Sequence, residues 1–197
     1  MRITTTIALA VALTGAAFTA SAQETEYTPM TRSERFRNYL AGTVAPGSLA
    51  GVVARAGFEQ WRNSPTEWGQ GSEGFSDRLG NAYAKHFIRR TLEFGASSAL
   101  HQDDRYLASG EKGFWRRTKY AVASTFLARR DSGERTFALA RFGSAAGTAY
   151  VSNIWQPASR SGADHIASSF GFIIATDIGT NVVREFWPDL KRRFHKN

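Results

Sequence analysis

Helix start and stop signals recur along the chain after residue 30, and no other feature constrains its fold as strongly. Residues 31–34 read Thr-Arg-Ser-Glu, a capping box in which the Thr and Glu side chains satisfy free backbone amides. No segment alternates cleanly between apolar and polar residues, so strands are not expected. The pattern predicts an all-α, single-domain bundle of five or six helices with small-residue-rich central helices. The helices are expected at residues 31–42, 49–61, 73–101, 114–129, 137–155 and 161–187, the last ending before Pro188.

Two of the predicted helices carry almost no charge. Residues 142–159 have none, and residues 166–183 have only Asp177. Each stretch is near the lower length limit for crossing a bilayer, and both are diluted by small and polar residues. A spanning hairpin would also place its cationic flanks outside the cytoplasm, against the positive-inside rule. We therefore expect both helices in the core of a globular bundle, while the aromatic and cationic residues 186–194 leave peripheral membrane attachment open.

The first 22 residues have the pattern of an export signal. Arg2 precedes an apolar stretch, and residues 20–22 form an A-x-A cleavage site. We expect a cleaved signal peptide over residues 1–22, an extended tail over 23–30 and the helical domain over 31–197. The protein is then exported across the inner membrane and is either periplasmic or peripherally membrane-associated. Because the chain has no Cys, disulfides, thiol nucleophiles and zinc–cysteine sites are excluded.

The chain is strongly basic, with 25 Lys and Arg against 17 Asp and Glu. Most of the cations are Arg, whose planar guanidinium binds phosphate and carboxylate groups in a bidentate manner. Export argues against nucleic acid as the partner, so an anionic membrane surface, lipid head group or glycan of the envelope is expected instead. A solvated surface encoded by an Arg-rich genome is the alternative explanation. The sequence makes no prediction of the oligomeric state.

The densest polar cluster is the segment 101–106, which reads His-Gln-Asp-Asp-Arg-Tyr. In a periplasmic hydrolase, His101 would act as the base and Asp103 or Asp104 would orient it. Arg105 would then contact an oxyanion or a phosphate. The alternative is structural, because His is favourable at a helix C-terminus, Asp can cap the next turn, and Arg105 can pair with either Asp. No metal site and no cofactor is predicted.

Two Arg pairs are candidate anion-binding sites. Arg116 and Arg117 occupy the first turn of a predicted helix, where cations oppose the helix dipole unless an anion is present. Neutralisation by Glu111 is the alternative. The pair Arg89 and Arg90 occurs in a similar sequence context 27 residues earlier.

A polar stripe and a loop complete the candidate sites. The stripe lies on the last predicted helix and is either paired inside the bundle or lines a ligand pocket, because buried polar groups need partners. Its members are Asp177, Asn181, Arg184 and Glu185. The loop reads Trp68-Gly69-Gln70-Gly71, and it either lies over a pocket or packs a helix corner.

Four short motifs stand out as a set. They are W-G-Q-G at residues 68–71, H-x-D-D-R-Y at 101–106, G-F-W-R-R-T at 113–118 and R-E-F-W-P-D at 184–189. Together they resemble a group of exported bacterial all-helical proteins of unknown function, and the resemblance implies no activity. Three function hypotheses remain. The first is a non-enzymatic envelope protein that binds an anionic surface or ligand through its Arg clusters. The others are the hydrolase and a structural or partner-binding bundle.

Overall fold

The computed structural model describes residues 27–194, so the predicted signal peptide lies outside the described residues. Residues 23–26 of the predicted tail also lie outside them, whereas residues 27–30 form neither helix nor strand. The described part is mostly helical, as the sequence predicts. Its α-helices are α1 (Arg32–Val44), α2 (Pro46–Trp61), α3 (Gly71–Ala99), α4 (Phe114–Phe126), α5 (Leu139–Ser152) and α6 (Ala163–Phe194).

The predicted capping box begins α1. The Thr31 hydroxyl accepts from the Glu34 backbone N–H at 3.3 Å, and the Glu34 carboxylate accepts from the Thr31 N–H at 2.8 Å. These bonds satisfy amides that the first helical turn leaves free. Pro46 lies in the first turn of α2. The backbone N–H that proline lacks would have no partner within the helix at this position, so its absence does not destabilise the helix. Residues 64–67, Ser-Pro-Thr-Glu, also have the sequence pattern of a capping box, but they lead only into a short 3-10 turn, Thr66–Trp68.

A small antiparallel sheet is the main departure from the predicted helices. Its strands are β1 (Gln102–Asp103), β2 (Leu127–Arg130) and β3 (Arg135–Phe137), in that spatial order. The helix expected over 114–129 therefore ends at Phe126, and the hairpin β2–β3 follows it. Strands this short contain too few residues to show an alternating pattern, which is why the sequence did not indicate them.

The helices α1 and α2 together run antiparallel to α3. Near the end of α3, the Thr91 hydroxyl lies 3.1 Å from the Tyr39 hydroxyl of α1. At the other end, the Gln60 amide of α2 donates to the carbonyl of Gly71 at 3.1 Å. On its other side α3 packs against α5, α5 packs against α6, and α4 packs along α6.

The buried interior consists mainly of small and polar side chains. Among the described residues, the buried apolar set is mostly Ala, joined by Met30, Val52 and Ile174. The buried polar set is larger and includes charged groups. Many large apolar side chains are exposed instead, and Trp61 and Ile154 are 79% and 80% exposed. This distribution is the reverse of that in most water-soluble domains.

The helix α5 is central, as predicted, but α6 is not. The buried side chains of α5 are all small, and they are Ala140, Ser144, Ala145, Thr148, Ala149 and Ser152. In the described part of α6, only Ile174, Asn181 and Glu185 are buried. The expectation that residues 166–183 form a core helix is therefore wrong, because most side chains of this stretch are exposed or half-buried. By length and composition α6 could cross a membrane, and only 11% of its most apolar 18-residue window is buried.

The helix α6 continues through Pro188, although the sequence predicted an end before it. Proline lacks a backbone donor and crowds the carbonyl four residues earlier, which normally ends or kinks a helix. Arg117 of α4 donates to the Glu185 carbonyl beside this site and also binds the Glu185 side chain. The carbonyl that Pro188 leaves without a helical donor is that of Arg184, so the contact with α4 lies one residue further along the helix.

Candidate functional site

A cavity of about 970 Å³ lies between α1–α2, α3 and α6. This volume is at the upper end of the range for small-molecule sites, roughly 300–1,000 Å³. Helical spacing explains which side chains face it, because residues three and four apart share one face of a helix. From α3 these are Ala82, Lys85, His86, Arg89 and Arg90. From α6 they are Phe172, Ile173, Thr176, Asp177, Thr180 and Arg184.

The charges that line the cavity are mostly positive. Six cationic side chains and two carboxylates line it. Glu59, Glu93 and Asp103, which pair with Arg55, Arg90 and Arg105, lie outside the lining, so the six cations are opposed by five carboxylates with His86 neutral. The cations are Arg55, Lys85, Arg89, Arg90, Arg105 and Arg184, and the carboxylates are Asp104 and Asp177. Charge interactions are stronger in a cavity with low-dielectric walls than in water, so this excess favours an anion.

The two predicted cations Arg89 and Arg90 are held by carboxylates. Arg89 donates to Asp177 at 2.8 Å, and Arg90 lies 3.3 Å from Glu93. Glu93 also lies 3.9 Å from Arg89 and 3.7 Å from Arg141. One buried carboxylate therefore serves three guanidinium groups, and Asp104, 3.8 Å from Arg90, adds a further negative charge to the cluster.

Lys85 and Arg184 have no such partner. Within the described residues, neither side chain makes a hydrogen bond or an ion pair. Lys85 is only 8% exposed, whereas Arg184 is an exposed residue at the edge of the same cavity. Carboxylates lie in the surroundings, Glu59 for Lys85 and both Glu93 and Asp177 for Arg184, but neither cation forms an ion pair with them. A buried cation such as Lys85 without a bonded counter-charge is destabilising. These two groups mark the place where the cavity lacks an anion.

The rest of the cavity wall is partly apolar. Val52 and Phe58 of α2 face Phe172 and Ile173 of α6 across it. The Arg55 guanidinium lies 5.1 Å from the centre of the Phe172 ring and connects these two walls. The cavity therefore combines a cationic side, formed by α3, with an apolar side, formed by α2 and α6.

Gly42 leaves the space that the Arg90 side chain occupies. A Cβ atom at Gly42 would overlap the Arg90 guanidinium. The same guanidinium donates to the Asn38 carbonyl at 3.5 Å, while its buried Nε has no hydrogen-bond partner. Close approach of α1 to α3 at this glycine therefore fixes the position of one cavity cation.

The predicted catalytic cluster does not assemble around His101. The His101 Nδ1 lies 3.2 Å from Asp131, and neither Asp103 nor Asp104 orients it. Its side chain is 75% exposed, and it lines neither described pocket. Asp104 accepts from the Asn38 amide instead, at 3.2 Å. This placement favours the structural alternative for the cluster.

Asp103 and Arg105 form a structural pair in the loop after α3. Arg105 donates to the Asp103 carboxylate at 2.7 Å, and the Tyr27 hydroxyl donates to it at 3.0 Å. Burial, followed by the adjacent Asp103 charge, raises the pKa of Tyr27 to about 12. The phenol therefore keeps its proton and ties the N-terminal tail to β1. A pocket of only about 60 Å³ adjoins this pair.

The predicted anion site at the start of α4 already contains carboxylates of this chain. Arg117 donates to Glu185 at 2.9 Å and to Asp189 at 2.5 Å. The alternative that Glu111 neutralises the pair is also not observed. Arg116 is exposed and donates to the backbone carbonyl of Lys112, just before α4. Arg117 therefore joins α4 to α6, and neither member of the pair lines the large cavity.

The polar stripe of α6 is paired within the bundle except for one residue. The partners are Arg89 for Asp177, Thr125 for Asn181, and Tyr106 with Ser109 for Glu185. Burial, and then the hydrogen bond to Glu185, raise the pKa of the Tyr106 phenol. Arg184 is the one stripe residue whose side chain has no hydrogen bond or ion pair within the described residues, so it is available to a ligand.

The loop with Trp68 and Gln70 packs a helix corner and does not line the large cavity. The Gln70 amide donates to the carbonyl of Gln60 at 3.1 Å. Arg78 is fully buried beneath the loop and donates to the Gly69 carbonyl at 2.8 Å. The loop therefore closes one end of the bundle around a buried guanidinium.

Sequence reasoning missed Lys85 and Arg55, and it named Arg89 and Arg90 without placing them in a cavity. The spacing of Lys85 to Arg89, four residues, was the available signal, because it puts both cations on one face of α3. Comparison with protein-family models, curated proteins and solved structures gave no match for this chain. Its function is therefore inferred from the chemistry of the cavity.

Proposed function

We propose that this protein is a non-enzymatic binding protein of the bacterial envelope and that the large cavity binds an anionic ligand. A single observation carries the proposal. Lys85 and Arg184 line the cavity, and neither forms a hydrogen bond or an ion pair with a carboxylate among the described residues. A phosphate or carboxylate group of the ligand would supply the missing charge.

The two cations suit such a group in different ways. The Arg184 guanidinium can donate two parallel hydrogen bonds to a phosphate or carboxylate, and the Lys85 ammonium acts as a compact positive charge. Arg89 and Arg90 remain bound to Asp177 and Glu93, so they contribute mainly to the positive potential. Hydrogen bonds to charged groups are each worth roughly 1.5–3 kcal/mol, so the loss of either cation is measurable.

The apolar wall favours a ligand whose anionic group carries a hydrocarbon chain. Phe58, Phe172 and Ile173 would contact such a chain while the head group lies against α3. A glycan would instead place hydroxyl groups against these apolar side chains, at a desolvation cost. An anionic lipid therefore fits the cavity better than an anionic sugar.

The cavity supports binding better than catalysis. His86 is its imidazole, and the His86 Nε2 lies 3.2 Å from the Thr43 carbonyl. Because a carbonyl can only accept, this nitrogen is protonated and donates a hydrogen bond to the Thr43 carbonyl. His101, the predicted base, lies outside the cavity. No pair of nucleophile and base faces the cavity among the described residues.

Calorimetric titration of the full-length protein with short-chain phospholipids tests the proposal. Phosphatidylglycerol, which is anionic, is compared with zwitterionic phosphatidylcholine of the same chain length, both below their micelle-forming concentrations. The variants are Lys85→Gln and Arg184→Gln. Arg116→Gln is the matched control, because Arg116 is an exposed cation outside the cavity.

We expect wild type to prefer phosphatidylglycerol and each cavity variant to bind it about tenfold more weakly, the equivalent of roughly 1.4 kcal/mol. Arg116→Gln should bind like wild type. Equal affinity for both lipids would contradict the proposal, and so would an equal loss in Arg116→Gln, since surface attraction would then explain the binding. An anionic oligosaccharide serves as a third probe. If it binds more tightly than phosphatidylglycerol, the ligand of the cavity is a glycan and the lipid assignment is wrong.

A further inference from the structure

The exposed surface of the bundle carries no charge over a continuous zone. On α1–α2, every exposed residue between Arg37 and Arg62 is uncharged. The same holds on α3 between Asp77 and His101, over residues 136–163 around α5, and over residues 165–183 of α6. The charged residues in these segments are buried or half-buried toward the interior. We call this zone the uncharged belt.

Large apolar side chains project from the belt on every one of these elements. Five of them are between 45% and 67% exposed: Val44, Val53, Phe87, Tyr150 and Val183. Contiguous exposed apolar surface of this extent is rare on water-soluble monomers and marks contact with a partner or a membrane. The belt therefore requires an occupant.

The height of the belt matches the hydrocarbon core of a bilayer. On α3 it extends from Gly80 to Leu100, which is about 30 Å at 1.5 Å per residue. The hydrocarbon core of a typical bilayer is also about 30 Å thick. Within this height, all exposed side chains of α3 are uncharged, and the helix supplies its own backbone hydrogen bonds, as a lipid environment demands.

The interior is built as membrane bundles are built. Among the described residues, 15 buried residues are polar or charged and only 11 are apolar, most of them Ala. In water such an interior buries little apolar surface, while the large apolar groups stay exposed. In lipid, small residues let helices pack closely, and polar groups pair inside the bundle. The central α3–α5 contact, lined by Ala, Ser and Thr of α5, follows this second pattern.

Charged and aromatic residues mark both limits of the belt. Exposed charges at one limit include Arg62, Glu73 and Asp77, and at the other Arg37, Arg130 and Lys119. Trp61 and Trp155 lie near the first limit and Trp187 near the second, and all three are exposed. Tryptophan is enriched at membrane–water interfaces because its ring is apolar and its N–H is polar.

We propose that the uncharged belt is embedded in the hydrocarbon core of a lipid bilayer. Copies of the same chain are the competing occupant. A standard protein interface covers about 800 Å² on each partner, which is one patch of a surface. The belt lies on the outward faces of α2, α3, α5 and α6, so a single self-contact would leave most of it exposed to water. Lipid covers all faces at once. The proposal for the belt does not depend on the proposal that the cavity binds an anionic ligand.

The absence of Cys from the chain allows a direct test of belt depth. Single-Cys variants of the full-length protein are labelled with an environment-sensitive fluorophore and reconstituted into phosphatidylcholine vesicles. Phe87→Cys and Tyr150→Cys report on the belt, and Glu73→Cys and Lys119→Cys are matched exposed positions beyond its limits. Nitroxides on the lipid chains quench labels in hydrocarbon, and iodide quenches labels in water. Far-UV circular dichroism verifies that each variant keeps its helical content.

We expect belt labels to show blue-shifted emission, quenching by the lipid nitroxides and no quenching by iodide, with the reverse at the two end positions. Wild-type protein in cell membranes should also resist extraction by alkaline carbonate. Iodide quenching at the belt positions would overturn the proposal. Release of the protein by carbonate would also overturn it. A third contrary result is a protein that sediments as an oligomer without detergent and whose belt labels are reached by neither quencher, because copies of the chain would then cover the belt.

Discussion

Two buried cations of α3 should respond in opposite directions to the same substitution. Arg78 is fully buried, and Lys85, two turns further along, is 8% exposed. Arg78 donates hydrogen bonds to several oxygens, whereas Lys85 makes none within the described residues. Replacement by Met, which is unbranched and similarly long, removes each cation while keeping most of the packing.

The loss at Arg78 can be worked out from its partners. The carbonyl oxygens of Ser64, Pro65 and Gly69 accept from Arg78 at 3.1, 2.7 and 2.8 Å. None of them accepts another backbone hydrogen bond from the loop. A buried acceptor left without a donor costs about 1–3 kcal/mol, so three cost about 3 kcal/mol or more. Arg78→Met should therefore lower the free energy of unfolding by at least that amount.

Lys85→Met should have the opposite sign. Replacing buried charged groups by apolar ones of similar size is often neutral or stabilising, by up to about 4 kcal/mol. The cavity gives the Lys85 ammonium some contact with water, which places the expected gain near the low end, about 1 kcal/mol. The same variant should lose affinity for the anionic ligand, because it removes one of the two unpaired cations.

Equilibrium unfolding of the delipidated, full-length protein in nonionic detergent measures both effects, with far-UV circular dichroism as the signal. Arg62→Met is the control, since exposed positions usually change stability by less than about 0.5 kcal/mol. If Lys85→Met lowers the free energy of unfolding by 1 kcal/mol or more, Lys85 has a structural partner. The argument that the cavity lacks an anion would then be refuted.

Gly42→Ala should displace the Arg90 guanidinium and weaken ligand binding. The control is Gly57→Ala, at a helical glycine with open space around it, and it should bind like wild type. Equal binding by both variants in calorimetry would contradict this account of the α1–α3 contact. Tyr27→Phe tests the tail contact, because the pKa of Tyr27 is raised from 10.0 to about 12 by burial and by Asp103. A phenol whose pKa is higher in the folded than in the unfolded protein stabilises the fold at every pH below its unfolded-state pKa. This contribution is lost as the pH rises through its folded-state pKa. Wild type should thus lose stability more steeply than Tyr27→Phe between about pH 10 and 12, and parallel pH profiles would show that the phenol does not contribute.

Local signals explain what the sequence predicted well. The capping box of Thr31 and Glu34 lies within one helical turn, so it could be read directly, and the long helix α3 follows from its continuous helical periodicity. The hairpin β2–β3 could not be read this way. Its strands depend on pairing with each other and with β1, and the residues 127–130 alone resemble a continuation of α4.

The place of α6 was predicted wrongly for a related reason. The uncharged stretch 166–183 is compatible with a protein core and with a membrane, and the charges on its flanks were taken to decide between them. Tertiary packing decides instead, and it leaves most side chains of this stretch exposed or half-buried. Two of these flanking cations pair with carboxylates of the bundle, Arg141 with Glu93 and Arg192 with Asp189.

The candidate site was only partly predictable. Arg89, Arg90 and Arg184 were recognised as anion-binding or pocket residues, yet their grouping depends on α3 meeting α6, more than 80 residues later in the chain. Pairing also selects among similar cations: Asp177 binds Arg89, while Lys85 forms no ion pair with a carboxylate of the described residues. A residue's type and spacing indicate that it could bind an anion, but only its neighbours determine whether it is still available.

Native mass spectrometry of the full-length protein, released from its own membrane in mild detergent, tests the cavity most directly. Wild type and the control Arg116→Gln should carry one bound anionic lipid. The double variant with Lys85→Gln and Arg184→Gln should emerge without it. A double variant that keeps the same adduct, or a wild type that carries neutral lipids equally well, would contradict the claim that these two cations bind an anion.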